Sequence, residues 1–354
     1  MHDNLKDVGG NAGCSASLFA YESKVLSDLI VVIILNFMNK NGTLDKLVYD
    51  DFGGSLAEII SPPTFAILKR ADIINDDGGV SSHFRSLYAK RRDFLFARIE
   101  FILKVTRDVL DFGEDLFTNP IKFMDKSSAF AMFDYSQGFE HGEGAKQKTK
   151  KWCDYTASLT DIEAEIILSE MEKIIISHSL SHVLEVGGNI GVFGTRFCER
   201  FDVDSYQILD IPVVCCLGEE RKKLHDPSSP IQFLPGDMSE ASWLNANTQK
   251  PDIIIFKSVL HDWPDERLNI IFERAFQNLK RGGQLLIVER ASFSDGNIAA
   301  PSAADVANLI FAPFYRDPGA YMDILYNLDG NFIIESHFFD MEMRWFILSV
   351  RLDQ

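Results

Sequence analysis

The chain is short of positive charge. Its 354 residues carry 35 Lys and Arg against 52 Asp and Glu, a formal net charge of −17. Such a surface repels phosphodiester backbones and anionic headgroups, so nucleic acid and membrane are poor partners. A small neutral or cationic molecule fits better. Cysteine is scarce as well. Cys14, Cys153, Cys198, Cys215 and Cys216 form no C-x-x-C pair and no metal-ligand spacing. The expectation is reduced thiols in a cytoplasmic protein with no metal centre. Long apolar runs are also missing. The longest, Leu29 to Leu35, is far below the roughly 20 residues that cross a bilayer. No basic stretch precedes an apolar one at the N-terminus, so no secretory signal is expected. No internal repeat is visible.

What is present points to two domains, since 354 residues exceed what one core ordinarily serves. The most informative stretch is Val183-Leu-Glu-Val-Gly-Gly-Asn-Ile-Gly191. Val183, Leu184 and Val186 read as a short buried strand with Glu185 near its end. Gly187, Gly188 and Gly191 then make a tight turn into a helix from about Val192 to Arg200. Glycine lets bare backbone approach a ligand, and the helix start aims unpaired N–H groups at it.

Ahead of this turn the pattern is helical. Residues 1–20, rich in Gly, Asn and Ser, read as a flexible arm. Tyr21 to Met38 reads as one helix, apolar enough to be buried nearly all round, either in a core or against a second subunit. Ser61-Pro62-Pro63 starts a helix to about Arg70. Asn75 to Gly79 reads as a hairpin turn between the segments 71–74 and 80–84. Helices followed by a small hairpin suggest a winged-helix-like domain over residues 21–150. The acidic balance argues that it serves interaction rather than DNA binding. Tyr88 to about Phe123 reads as two helices, residues 137–151 as a polar loop, and Trp152 to His178 as a long helix.

From Ser181 the chain alternates strands and helices. Strand candidates are Val183–Val186, Ser205–Leu209, Ile231–Leu234, Ile253–Phe256 and Leu285–Val288. The expected fold for residues 151–354 is α/β, a mostly parallel sheet with helices on both faces. Ligands bind such sheets at the C-terminal strand ends. Asp210 ends the second strand, where a carboxylate suits the two hydroxyls of a ribose. Asp237 ends the third, where an acceptor suits an adenine amine and Met238 covers the ring. A nicotinamide site is the rival reading, but its G-x-G-x-x-G fingerprint is interrupted by Asn189. Asparagine is the best non-glycine substitute where positive φ is required. Lys257 and His261 straddle the end of the fourth strand, placed to face one cleft. A histidine there is a candidate general base. Glu289, at the end of the fifth strand, can fix its tautomer. His261 and Asp262 have no third partner for a metal site.

These motifs resemble the S-adenosylmethionine-dependent O-methyltransferases of the plant caffeate and hydroxyindole type and their bacterial natural-product relatives. The likeness rests on Leu184 to Gly191, Leu209-Asp-Ile-Pro212, Gly236-Asp-Met238, Lys257-Ser-Val-Leu-His-Asp-Trp263 and Gly282 to Glu289. It implies a Rossmann-like class I methyltransferase domain preceded by a dimerisation domain, with a homodimer formed near Leu29. It implies S-adenosyl-L-methionine as cofactor, held by Glu185, Gly187, Gly188, Asn189, Gly191, Asp210, Ile211, Gly236, Asp237, Met238, Lys257 and Ser258. His261 would take the proton of an aromatic hydroxyl, and Glu289 would orient it. Trp152, Thr156, Asp262, Asn308 and Phe311 would line the substrate. One departure stands out: a second glutamate common in the family is replaced by Tyr315, which becomes the third candidate catalytic residue. Members of this fold that bind the cofactor but catalyse rearrangement or decarboxylation are the alternative, as is C-methylation.

Overall fold

The computed structural model describes residues 10–49, 60–133, 143–175, 180–240, 243–244, 249–292, 303, 305–328, 330–341 and 344–352. Residues 1–9 of the expected arm and 137–142 of the expected loop lie outside them. The chain divides into two units. Residues 1–129 and 300–309 form the first, and residues 130–299 and 310–354 the second. The division falls before the expected boundary at residue 150, and a short segment returns to the first unit.

The first unit is helical: α1 (Gly10–Leu26), α2 (Leu29–Lys40), α3 (Thr43–Tyr49), α4 (Pro62–Arg70), α5 (Ser82–Thr118) and α6 (Pro120–Lys126). Its core gathers Val25, Val32, Leu35, Leu68, Phe84, Leu87 and Ile99, all fully buried. Four sequence expectations change here. The arm is helical from Gly10. The single helix over 21–38 is two, because the Asp28 carboxylate caps a new start by accepting from the Ile30 N–H. In the single chain Ile30, Ile33 and Phe37 of that second helix are exposed, so the cover expected there is left to a second subunit. The hairpin shrinks to one antiparallel bridge, Ile74 with Val80, because Ser81 caps α5 and takes the second strand's residues into a helix. The two helices expected over 88–123 are instead α5 and the short α6. Non-helical φ/ψ at Arg91 and Phe112 kink α5. Arg91 leaves the helical geometry where it pairs with Glu22, a buried carboxylate that also accepts from Arg98.

The second unit opens with α7 (Glu143–Glu172), so residues 143–151 of the expected loop are helix. It continues as β1 (Leu180–Val186), α8 (Val192–Arg200), β2 (Val203–Asp210), α9 (Pro212–His225), β3 (Ile231–Pro235), β4 (Ile253–Lys257), α10 (Asp265–Asn278) and β5 (Gln284–Arg290). Then come α11 (Asp305–Phe311), which crosses the unit boundary, α12 (Pro318–Tyr326), β6 (Phe332–Asp340) and β7 (Arg344–Leu352). The sheet order is β3-β2-β1-β4-β5-β7-β6. β1 to β5 pair in parallel, as expected, and β7 runs antiparallel between β5 and β6. β1, β4 and β5 are almost wholly buried, as parallel strands covered on both faces must be. The order reverses at β1 and β4, so a crevice is expected at their C-terminal ends. Both candidate turns sit there. Among the described residues no helix is long and apolar enough to cross a membrane.

Candidate active site

The turn after β1 is built from backbone in the left-handed region. Gly187 has φ 73°, Asn189 φ 55° and Gly191 φ 81°. Asparagine thus occupies a position that requires positive φ, which it tolerates better than other side chains. The glycines are also required sterically. A Cβ on Gly187 would sit 2.5 Å from Val259, and one on Gly188 would sit 2.7 Å from the Glu185 carboxyl. Glu185 therefore lies beneath the turn. It is buried and accepts from the buried Tyr206 hydroxyl at 3.0 Å. Burial raises its pKa to about 8, with Lys257 and the Tyr206 hydrogen bond pulling the other way. Its position makes it a support.

The β2 end locks onto that turn. The Gly187 N–H donates to the Leu209 carbonyl at 2.8 Å. The Asp210 carboxylate accepts from the Asn189 N–H through Oδ2 and the Ile211 N–H through Oδ1, each at 2.8 Å. Burial raises its pKa to about 6 against the lowering effect of those two N–H groups. Each oxygen keeps a lone pair for a further donor. Asn189 also donates through its amide to the Thr156 hydroxyl of α7, so Thr156 supports the turn. After β3, the Gly236 N–H donates to the Asp210 carbonyl at 2.9 Å. Asp237 Oδ1 is taken by the Ser239 N–H and hydroxyl, at 2.7 and 2.8 Å. Asp237 Oδ2 makes no hydrogen bond among the described residues. Met238 packs on the sheet core and accepts from Trp243 through its carbonyl.

The turn after β4 carries the titratable groups. Ser258 has φ 51°, and Leu260–Asp262 form one turn of 3₁₀ helix. Lys257 does not reach towards His261. Its buried amine donates to Thr160 at 3.2 Å and lies 5.8 Å from the Phe193 ring centre. Burial lowers its pKa, and the charges of Glu163 and Glu185 partly offset this. His261 Nδ1 lies 2.8 Å from Glu289 Oε2, which fixes Nδ1–H as donor and leaves Nε2 basic. Glu289 Oε1 accepts from the Val259 and Leu260 N–H groups at 2.9 and 2.8 Å. Burial pushes the Glu289 carboxyl up, but His261 and those N–H groups hold it below the ordinary glutamate value. Burial pulls His261 down, but the Glu289 and Asp262 charges leave its pKa above the ordinary imidazole value. Asp262 Oδ1 lies 3.5 Å from Nε2.

The Tyr315 ring meets the imidazole edge-on, with centres 5.2 Å apart. Burial raises its phenol pKa, so it stays neutral. Trp152 and Phe311 rings lie 6.4 Å apart, and Phe130 contacts both Phe311 and Phe314. Asn308 belongs to the part of α11 that groups with the helical unit. Sequence reasoning missed Arg290, Glu163 and Arg316. The buried Arg290 guanidinium pairs with Glu163 and covers the Trp345 ring at 4.2 Å. Arg316 binds two carbonyls of the His261 turn. For the two arginines, a cation directly after Glu289 and directly after Tyr315 was the available signal. Among the described residues no three His, Cys, Asp or Glu side chains converge to hold a metal.

A family profile described as an O-methyltransferase domain matches residues 119–313, more than half of the chain. Curated relatives include pluviatolide O-methyltransferase of Sinopodophyllum hexandrum, 27% identical over 37% of this chain and 32% of its own. Strychnine O-methyltransferase of Strychnos nux-vomica is 27% identical over 44% of this chain and 43% of its own. The chain thus spans less than half the length of these relatives. Solved structures share the fold across nearly the whole chain. A riboflavin-type dimethyltransferase of Streptomyces davawensis superposes with TM-score 0.66 at 16% identity, covering 96% of this chain and 99% of that one. Human N-acetylserotonin methyltransferase, solved with S-adenosylmethionine, gives 0.59 at 15% identity and covers 99% and 100%. The cofactor is S-adenosylmethionine, and the chain belongs to the O-methyltransferase domain family.

Proposed function

We propose that this protein transfers a methyl group to a hydroxyl of an aromatic or heteroaromatic small molecule, in natural-product metabolism, with His261 as general base. The observation that carries this is the His261–Glu289 pair at 2.8 Å, beside the Tyr315 ring. When bound, S-adenosylmethionine supplies a methyl group activated on a sulfonium. The left-handed turn at Gly187, Asn189 and Gly191 is seated so tightly on Val259, Glu185 and Phe233 that a Cβ at its glycines would displace it. It suits the methionine part, Asp210 with Ile211 the ribose, and Asp237, Gly236 and Met238 the adenine. Ser258 and Lys257 close the inner side.

His261 Nε2 removes the proton of the acceptor hydroxyl. Glu289 stabilises the imidazolium that forms and keeps Nδ1 from rotating into the acceptor's place. Asp262 sits close enough to Nε2 to steer a hydroxyl proton towards it. Tyr315 gives the ring a neutral wall where the family resemblance implies a glutamate. Trp152, Phe130, Phe311 and Phe314 offer flat apolar faces of the kind that stack on a planar acceptor. The intact base pair supports proton removal over the non-methylating alternative.

The test is turnover of S-adenosylmethionine against phenols and hydroxy-heterocycles, read as S-adenosylhomocysteine release. His261→Ala should lose on the order of 10²–10⁴-fold in kcat while donor binding, read by calorimetry, stays within about threefold. Unchanged turnover in that variant would remove the base assignment. The protein is further proposed to be a homodimer through α2. Ile30, Ile33 and Phe37 are 53%, 49% and 68% exposed, a stripe at helical spacing with no cover among the described residues. Light scattering of Phe37→Asp should then report a monomer.

A further inference from the structure

Arg316 follows Tyr315 in sequence, and the two side chains meet the His261 turn differently. Tyr315 packs on the imidazole. Arg316 grips the backbone. Its Nη2 donates to the Trp263 carbonyl at 2.6 Å, its Nη1 to the Leu260 carbonyl at 3.3 Å, and its Nε to Asp265 Oδ1 at 3.0 Å. The Leu260 carbonyl also closes the 3₁₀ turn by accepting from the Trp263 N–H at 3.2 Å. On the opposite side, Glu289 takes the Val259 and Leu260 N–H groups. The turn that carries His261 is therefore held by a carboxylate at its donors and a guanidinium at its acceptors.

We infer that Arg316 is a positioning residue for catalysis: by binding the Leu260 and Trp263 carbonyls it fixes the turn on which His261 stands. The physical need is plain. One turn of 3₁₀ helix has little stability of its own, and it begins beside Ser258 in the left-handed region. With the two carbonyls released to water, the turn is anchored from one side only, and the imidazole can swing away from an acceptor. A guanidinium meets both carbonyls at once because its donors form a rigid planar fork. A lysine ammonium is a point charge on a flexible stem and reaches one of them. Asp265 orients the fork from the start of α10, where an acid also favours the helix dipole.

This inference rests on the His261 reading, and the experiment separates the two. Arg316→Gln and Arg316→Lys are compared with wild type and with His261→Ala for kcat, KM, donor binding and thermal unfolding. The expected result is a kcat on the order of 10- to 100-fold lower in Arg316→Gln, a smaller loss in Arg316→Lys, and a donor KM within about threefold. The midpoint of the acid limb should not move. The groups facing the imidazole are Glu289 and Arg290 from β5, Asp262 from its own turn and Tyr315, and all remain. Wild-type kcat in both Arg316 variants, with His261→Ala inactive, overturns the inference alone. A kcat loss that only tracks a loss of folded protein overturns it too. Wild-type turnover in His261→Ala removes the base reading beneath it.

Discussion

Two turns close the C-terminal ends of β1 and β4, and each is held by one carboxylate from the neighbouring strand. Asp210 takes the Asn189 and Ile211 N–H groups, while Glu289 takes those of Val259 and Leu260. Each turn also contains one non-glycine residue at positive φ, Asn189 at 55° and Ser258 at 51°. The difference lies in how the oxygens are spent. Asp210 gives one oxygen to each N–H, so both remain able to accept from a ligand. Glu289 gives one oxygen to both N–H groups and the other to His261. The first carboxylate is left open towards the crevice, and the second is committed to one imidazole. On the proposed function, the same strand-end device would serve binding in one turn and proton transfer in the other.

The largest expected effect comes from breaking the committed carboxylate. In Glu289→Gln the amide oxygen still accepts from Val259 and Leu260, but the amide nitrogen faces His261 Nδ1 and favours the wrong tautomer. A loss in kcat on the order of 10²-fold or more is expected. The sign of the pH effect follows from the same pair. Glu289 holds the imidazole above its ordinary pKa against burial. Removing its charge lets burial lower the pKa, so the acid limb of the kcat profile moves to lower pH while the plateau falls. A limb that moved to higher pH would contradict this balance. A smaller effect is expected at the open carboxylate. Asp210→Asn keeps the fold of the turn yet loses acceptor capacity, weakening donor binding by about 10-fold or more, with kcat at saturation within about threefold. In the wild type, donor affinity should fall as pH drops through about 6, where Asp210 protonates. Equal losses of kcat in both variants would erase the distinction between the turns.

The strands that bear these turns were legible because parallel strands buried on both faces read as continuous apolar runs. Ile253, Ile254, Ile255 and Phe256 are such a run. His261 and Glu289 were legible because their motif spacing places them at adjacent strand ends. β6 and β7 were not, because the reading followed strand and helix in alternation, and these two form a hairpin with no helix between them. The burial of Glu185 beneath its turn was not legible, because strand alternation does not say which face of a turn is open. Its partner Tyr206 is 21 residues away in sequence. Arg316 escaped notice because its value lies in carbonyls it reaches more than 50 residues upstream. In the helical unit, Asp28 and Ser81 set helix starts that apolar periodicity alone did not mark.

The smallest expected effect is also the finest test of the comparison. Asn189 and Ser258 share a backbone conformation that glycine adopts without strain, so Asn189→Gly and Ser258→Gly remove the same strain from each turn. What else they remove differs. Asn189 ties its turn to Thr156 of α7 through the side-chain amide. The Ser258 hydroxyl only accepts from Arg290 at 3.4 Å, a long contact, and Arg290 keeps its partner Glu163. Relief of strain and added freedom of the unfolded chain nearly cancel, so each variant should change stability by less than about 1 kcal/mol. Function should split along the line drawn by the carboxylates. Asn189→Gly loosens the open turn and should raise the donor KM by about two- to fivefold with kcat held. Ser258→Gly leaves the clamped turn in place, because Glu289 and Arg316 fix it from outside, so kcat should stay within about twofold and only the hydroxyl's own contribution to the donor KM is lost. A larger kcat loss in Ser258→Gly than in Asn189→Gly would mean that the turn under His261 depends on its own backbone and not on the side chains around it.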